Sequence, residues 1–140
     1  MQAEDARAAT GDDLGTLQQA LQGNTRRAAI RAFGRLERPE FVALIAPALN
    51  DGVGIRAEAA DALAQMARTP AAVAEVQKLL LARAAEDARL NTWEPWGEMA
   101  AALGRLSYDT AAQVADTEAV LLTGLPAPDS MNDVETAAMA

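Results

Sequence analysis

Three segments of the chain superpose without gaps: RRAAIRAFGRL at 26–36, RAEAADALAQM at 56–66 and WGEMAAALGRL at 96–106. The successive offsets are 30 and 40 residues. In this register Ala32, Ala62 and Ala102 fall together, as do Phe33, Leu63 and Leu103. Gly34, Ala64 and Gly104 also coincide, and so do Leu36, Met66 and Leu106. Each segment follows a more aliphatic stretch: LGTLQQAL (14–21), FVALIAPAL (41–49) and VAEVQKLLLA (73–82). The repeating unit therefore reads as an aliphatic helix, a turn and a small-residue helix. A unit this small cannot bury its own apolar face, so copies must stack and share one core.

Composition fits that reading. Apolar residues make up 51% of the 140, yet aromatics only 4%. With alanine abundant and β-branched residues sparse, helix propensity is high nearly everywhere. No stretch alternates with period two, so no sheet is expected. Helices are expected near 3–9, 13–22, 25–36, 39–50, 54–67, 70–88, 94–106 and 110–123. QGNT (22–25), NDGVG (50–54) and LNTWEP (90–95) read as turns, Thr69 and Asp109 as N-caps, and Pro70 as a first-turn proline. Gly124 and Pro126 should end the last helix. The expected fold is all-α, an α-solenoid of three to four helix pairs with seven to eight helices over 1–124, followed by a flexible or truncated tail at 125–140. The alanines at 32, 62 and 102 would let neighbouring second helices approach to roughly 8 Å. Ala62→Leu should overpack that contact at a cost of about 1–3 kcal/mol.

The pattern resembles the HEAT-repeat family. The residues that carry the likeness are the "ND…IR" turn, the Ala-rich second helix and the "A-F/L-G/A" triplet near its end. Pro47 in LIAPALND stands where the family's first helix often carries a proline, and Asp51 best matches the family's acidic turn residue. The second unit fits well. The third departs, with Trp96 where the others have Arg26 and Arg56. The resemblance implies a stacking module in which Asp51 meets Arg56 or the helix start of the next unit.

Charge and missing residue types narrow the function. The formal net charge is −8, which argues against nucleic acid or an anionic membrane as the default partner. The chain has no cysteine and no histidine, so thiol chemistry, disulfides and the commonest general base and metal ligand are absent. No apolar run reaches the roughly 18–20 residues that span a bilayer, and MQAEDARAAT lacks signal-peptide features. No phosphate loop, nucleophile elbow or zinc-binding helix pattern occurs. No cofactor and no metal are expected.

Three constellations remain. Glu58 and Asp61, three apart, could form an acid–base pair, but a solvated helix face is the plainer reading. Arg26, Arg27, Arg31, Arg35 and Arg38 form the basic cluster, with Arg27, Arg31 and Arg35 stepping by four along one face. It is a candidate anion or nucleic-acid surface, or else a face paired with Glu37, Glu40 or the next unit. Trp93 and Trp96 flank Glu94 and Pro95 at a helix start. They are candidates for a binding hot spot or for covering the core. Charge is also graded. Residues 1–38 carry six arginines against five acids, whereas 86–140 carry two arginines against ten acids, a polarity that could orient a basic partner.

A narrower likeness rests on AEDARAAT, RRAAIRAFGRL, IRAEAADALAQMA and LGRLSYDTAAQVADTEAVLL in that order. It resembles the N-terminal HEAT region of secreted bacterial peptidyl-prolyl isomerases of the cyclophilin type. That resemblance implies export to the periplasm or cell surface and a catalytic domain outside these residues. Otherwise a cytoplasmic location is expected. The leading expectation is a non-catalytic module that binds a protein partner. A HEAT-like nucleic-acid binder working through the Arg26–Arg38 face is the weaker alternative.

Overall fold

The computed structural model describes residues 11–23 and 25–125, with side chains from Leu14 onward. The expected helix at 3–9 and the tail beyond Leu125 lie outside the described residues. Among the described residues there are seven α-helices and no strand. They are α1 (Gly11–Ala20), α2 (Arg26–Leu36), α3 (Val42–Ile45), α4 (Val53–Met66), α5 (Pro70–Arg89), α6 (Trp93–Gly104) and α7 (Ala111–Gly124).

Two sequence expectations are corrected. The helix expected over 39–50 is instead a single α-turn, α3, between 3-10 segments Pro39–Phe41 and Ala46–Asn50. Pro47 has no N–H for an i−4 bond and its ring crowds the preceding turn, so the α-helix stops at Ile45. The N-cap of α7 is Thr110, one residue past Asp109. The Thr110 hydroxyl accepts from the Gln113 N–H at 3.2 Å, and Gln113 Oε1 accepts from the Thr110 N–H at 3.1 Å. Gln113 can close this reciprocal box because it stands three residues after Thr110; it is four after Asp109, whose own N–H also reaches Oε1. At α5 the expectation holds, with Thr69 capping the Ala72 N–H at 3.2 Å and Pro70 in the first turn.

The three repeat segments become α2, α4 and α6, and they lie side by side, α2 on α4 and α4 on α6. α5 packs against both α6 and α7, α1 against α2, and α3 with the 3-10 segment Ala46–Asn50 against α4. One continuous core runs from Leu17 to Leu106. Three of the four superposed sets face it: Ala32, Ala62 and Ala102; Phe33, Leu63 and Leu103; and Leu36, Met66 and Leu106 are all buried, whereas in the fourth Gly34 is buried, Ala64 half-buried and Gly104 exposed. Ala29, Ala59 and Met99 share the same register and burial.

The tight approach between α2 and α4 centres on Gly34. A Cβ at that position would sit 2.8 Å from Ala62 Cα and 3.0 Å from Ala62 Cβ. Gly34 is therefore the residue that lets the backbones meet, with Ala62 as its partner. Real Cβ atoms do not tolerate such distances, and interiors this dense do not yield easily. Phe33 fills the space beside the contact and meets Phe41 edge-on, ring centroids 5.0 Å apart.

Candidate interaction surface

Within the basic cluster, Arg27 and Arg31 of α2 face α4 and share one of its carboxylates. Arg27 Nε lies 2.9 Å from Glu58 Oε2, and Arg31 Nε lies 2.8 Å from Glu58 Oε1. Arg31 adds a second bond to Oε2 at 3.1 Å. The Arg31 hydrogen bonds hold the Glu58 carboxyl below its ordinary range; burial opposes this, and Arg27 reinforces it. Arg38 donates to Glu40 at 2.7 Å and lies 4.9 Å over the Phe41 ring. Arg35 is exposed on the same helix. The pairing with the next unit thus accounts for Arg27 and Arg31 by geometry.

Glu58 and Asp61 do not work as a pair. Glu58 serves α2, while Asp61 Oδ1 meets Arg105, just past the end of α6, at 2.6 Å and Oδ2 accepts from Gln65 at 3.0 Å. The two carboxylates of α4 tie it to opposite neighbours.

Asp51 reaches backwards. Its Oδ2 lies 2.6 Å from Arg26 Nη1, at the start of α2, and not at Arg56 or the next unit. The reason is that Arg56 is drawn to the buried Asp87 of α5. Asp87 Oδ1 accepts from Arg56 Nη1 at 3.0 Å, from Arg83 Nη2 at 2.7 Å and from Arg83 Nε at 3.1 Å. Thr92 bonds the same residue's backbone oxygen through both its N–H (2.9 Å) and its hydroxyl (3.1 Å). Asp87 is fully buried, and its Oδ2 and the Arg56 Nε have no partner. This junction of α4, α5 and the α6 start was not singled out from sequence. The signal was present: Val73, Val76, Leu80, Ala84 and Asp87 follow one buried stripe of α5.

The two tryptophans separate. Trp96 is half-buried against the core, and the C-terminal Gly124 of α7 closes over its indole, where a Cβ would lie 2.6 Å from Cε2. Its Nε1 is buried without a partner. Trp96 is therefore the less accessible of the two. Trp93 remains exposed, its ring 6.2 Å from Trp96 in an edge-on arrangement. α7 is held from the other side by a polar chain. Gln77 Nε2 donates to Gln113 O at 2.7 Å and to Thr117 Oγ1 at 3.0 Å, and the Tyr108 hydroxyl, 3.1 Å from Thr117 Oγ1, donates to Leu103 O at 2.6 Å.

Exposed large apolar side chains gather late in the chain: Leu90, Trp93, Val114, Leu122 and Leu125, against Leu44 and Val53 earlier. Among the described residues no group of three or more acidic side chains is placed to hold a metal ion, and no helix is long and apolar enough to cross a membrane. No family model, no curated protein and no solved structure matches the chain.

Proposed function

We propose that this chain is a HEAT-type α-solenoid that acts as a non-catalytic module for binding a protein partner. The observation that supports it most is the side-by-side row α2–α4–α6, whose sequence repeat coincides with its buried positions. Stacked units of this kind leave turns and outer helix faces free as an extended surface. The charged side chains of α2 and α4 mostly serve inter-helix pairing, which favours a structural role for them over a catalytic one.

Affinity capture from the source cells tests this reading. The full chain should recover a reproducible protein partner, and Gly34→Leu, which disrupts the α2–α4 stack, should lose it. Recovery of nothing reproducible, or equal recovery by Gly34→Leu after its loss of native structure has been verified, contradicts the proposal.

A further inference from the structure

The outer face of α7 combines two properties found together nowhere else among the described helices. Val114, Glu118 and Leu122 step by four along one stripe, and Leu125 follows just past the helix end. Val114, Leu122 and Leu125 are 41%, 70% and 55% exposed, and Ala111, Ala115 and Glu118 beside them are exposed as well. Scattered apolar residues on a surface need no explanation, but a stripe does. Only Thr117 and Gly124 of this helix are buried.

The second property is unbalanced charge. Up to Asp87, the described acidic side chains other than Glu75 pair with arginine, as Glu37 does with Arg68 and Glu86 with Arg89. Beyond it, Glu94, Glu98, Asp109, Asp116 and Glu118 are exposed, and no salt bridge joins them to another described residue. α7 itself contains Asp116 and Glu118 and no lysine or arginine.

Charge selects among the occupants of the stripe. A second copy placed face to face would bring Glu118 against Glu118. A second copy placed head to tail would bring α7 toward α1, whose sequence has Asp12 and Asp13 and no basic residue. Residues 126–140 carry Asp129, Asp133 and Glu135 and no basic residue either. Each of these adds like charge. A helix with an aliphatic stripe and lysine or arginine along its flanks supplies both what the face lacks and what it offers.

We infer that the Val114–Leu122–Leu125 stripe of α7 docks a basic amphipathic helix of a partner protein, an inference that rests on the protein-binding reading above. A fluorescent model peptide of about 18 residues, roughly 27 Å as a helix, provides the probe. It carries leucines at i, i+3, i+4 and i+7 and lysines elsewhere. Anisotropy with the full chain should show saturable binding that weakens as salt rises. Leu122→Ala with Leu125→Ala should weaken binding about tenfold or more, and Glu118→Lys should weaken it and flatten its salt dependence. Both variants alter exposed side chains, and unchanged circular dichroism will verify their fold.

Absence of binding, equal binding of a peptide with the same composition and scattered leucines, or binding unaffected by the variants would overturn the inference. So would concentration-dependent dimerisation lost in Leu122→Ala, which assigns the stripe to a second copy. Much tighter peptide binding by a chain ending at Leu125 would assign it to residues 126–140 and overturn it likewise. The protein-binding reading fails separately: if the cellular partner is still captured by the double leucine variant, the module stands and only the α7 assignment falls.

Discussion

α2 and α7 are helices of similar length, yet they are held very differently. α2 buries six of its eleven residues, lies along α4 and has its outer arginines drawn onto Glu58. α7 buries two of fourteen and keeps its acids unpaired. α2 has neighbours on both sides, α1 and α4, so its small residues serve packing. α7 has α5 and α6 behind it and exposed leucines in front. The difference shows that stacking, and not helix propensity, fixes each helix, and it is the reason the proposed docking face lies on α7.

The sharpest way to break the well-packed side of this comparison is at Asp87. Removing its carboxylate leaves Arg56 and Arg83, each with a side chain 13% exposed, without a counter-charge in a buried junction. Asp87→Ala should cost about 3–5 kcal/mol, measured by urea unfolding. A loss below about 1 kcal/mol would mean that water reaches the two arginines.

Glu58 is expected to matter less, and in a pH-dependent manner. Its carboxyl titrates below the ordinary 4.5 because the charged form is held by Arg31 and Arg27. A lowered folded-state pKa gives stability that is present above the unfolded-state value and is lost as pH falls through the folded one. Glu58→Gln should therefore cost about 1 kcal/mol at pH 7, with the gap to the parent closing as pH falls below the ordinary carboxylate range. A gap that stays constant with pH would show that packing, not charge, is what Gln disturbs.

At the exposed side the effect should be smallest. The Arg105–Asp61 pair joins α6 to α4 at 2.6 Å, but Arg105 is 52% exposed. Arg105→Ala should change stability by less than about 1 kcal/mol, and high salt should remove most of that change.

The stacking row was legible because the repeat register places small and large residues at matching positions, and those positions are buried. Helix starts were legible where a cap and a proline coincide, as at Thr69 and Pro70. What resisted reading depended on which helices become neighbours. Glu58 binds two arginines only because α4 lies beside α2, which no local spacing states. Asp51 turned to Arg26 because Asp87, far along the chain, claims Arg56. Trp93 and Trp96 sit on one helix start, and only the arrival of Gly124 leaves Trp96 half-buried while Trp93 is exposed. The segment 39–50 looked helical by its apolar periodicity, and backbone geometry at Pro47 outweighed that periodicity.

α2 and α4 meet backbone to backbone at Gly34, and the repeat itself supplies the control. Gly104 superposes on Gly34 in sequence, yet a Cβ there would have no atom within 4 Å, because no described second helix lies beyond α6. Alanine raises helix propensity by up to about 1 kcal/mol over glycine at either site. Thermal unfolding of Gly34→Ala and Gly104→Ala therefore isolates the contact. The structure predicts opposite signs, with Gly34→Ala destabilised by about 1–3 kcal/mol and Gly104→Ala unchanged or slightly stabilised. Equal stabilisation of both variants would contradict the stack.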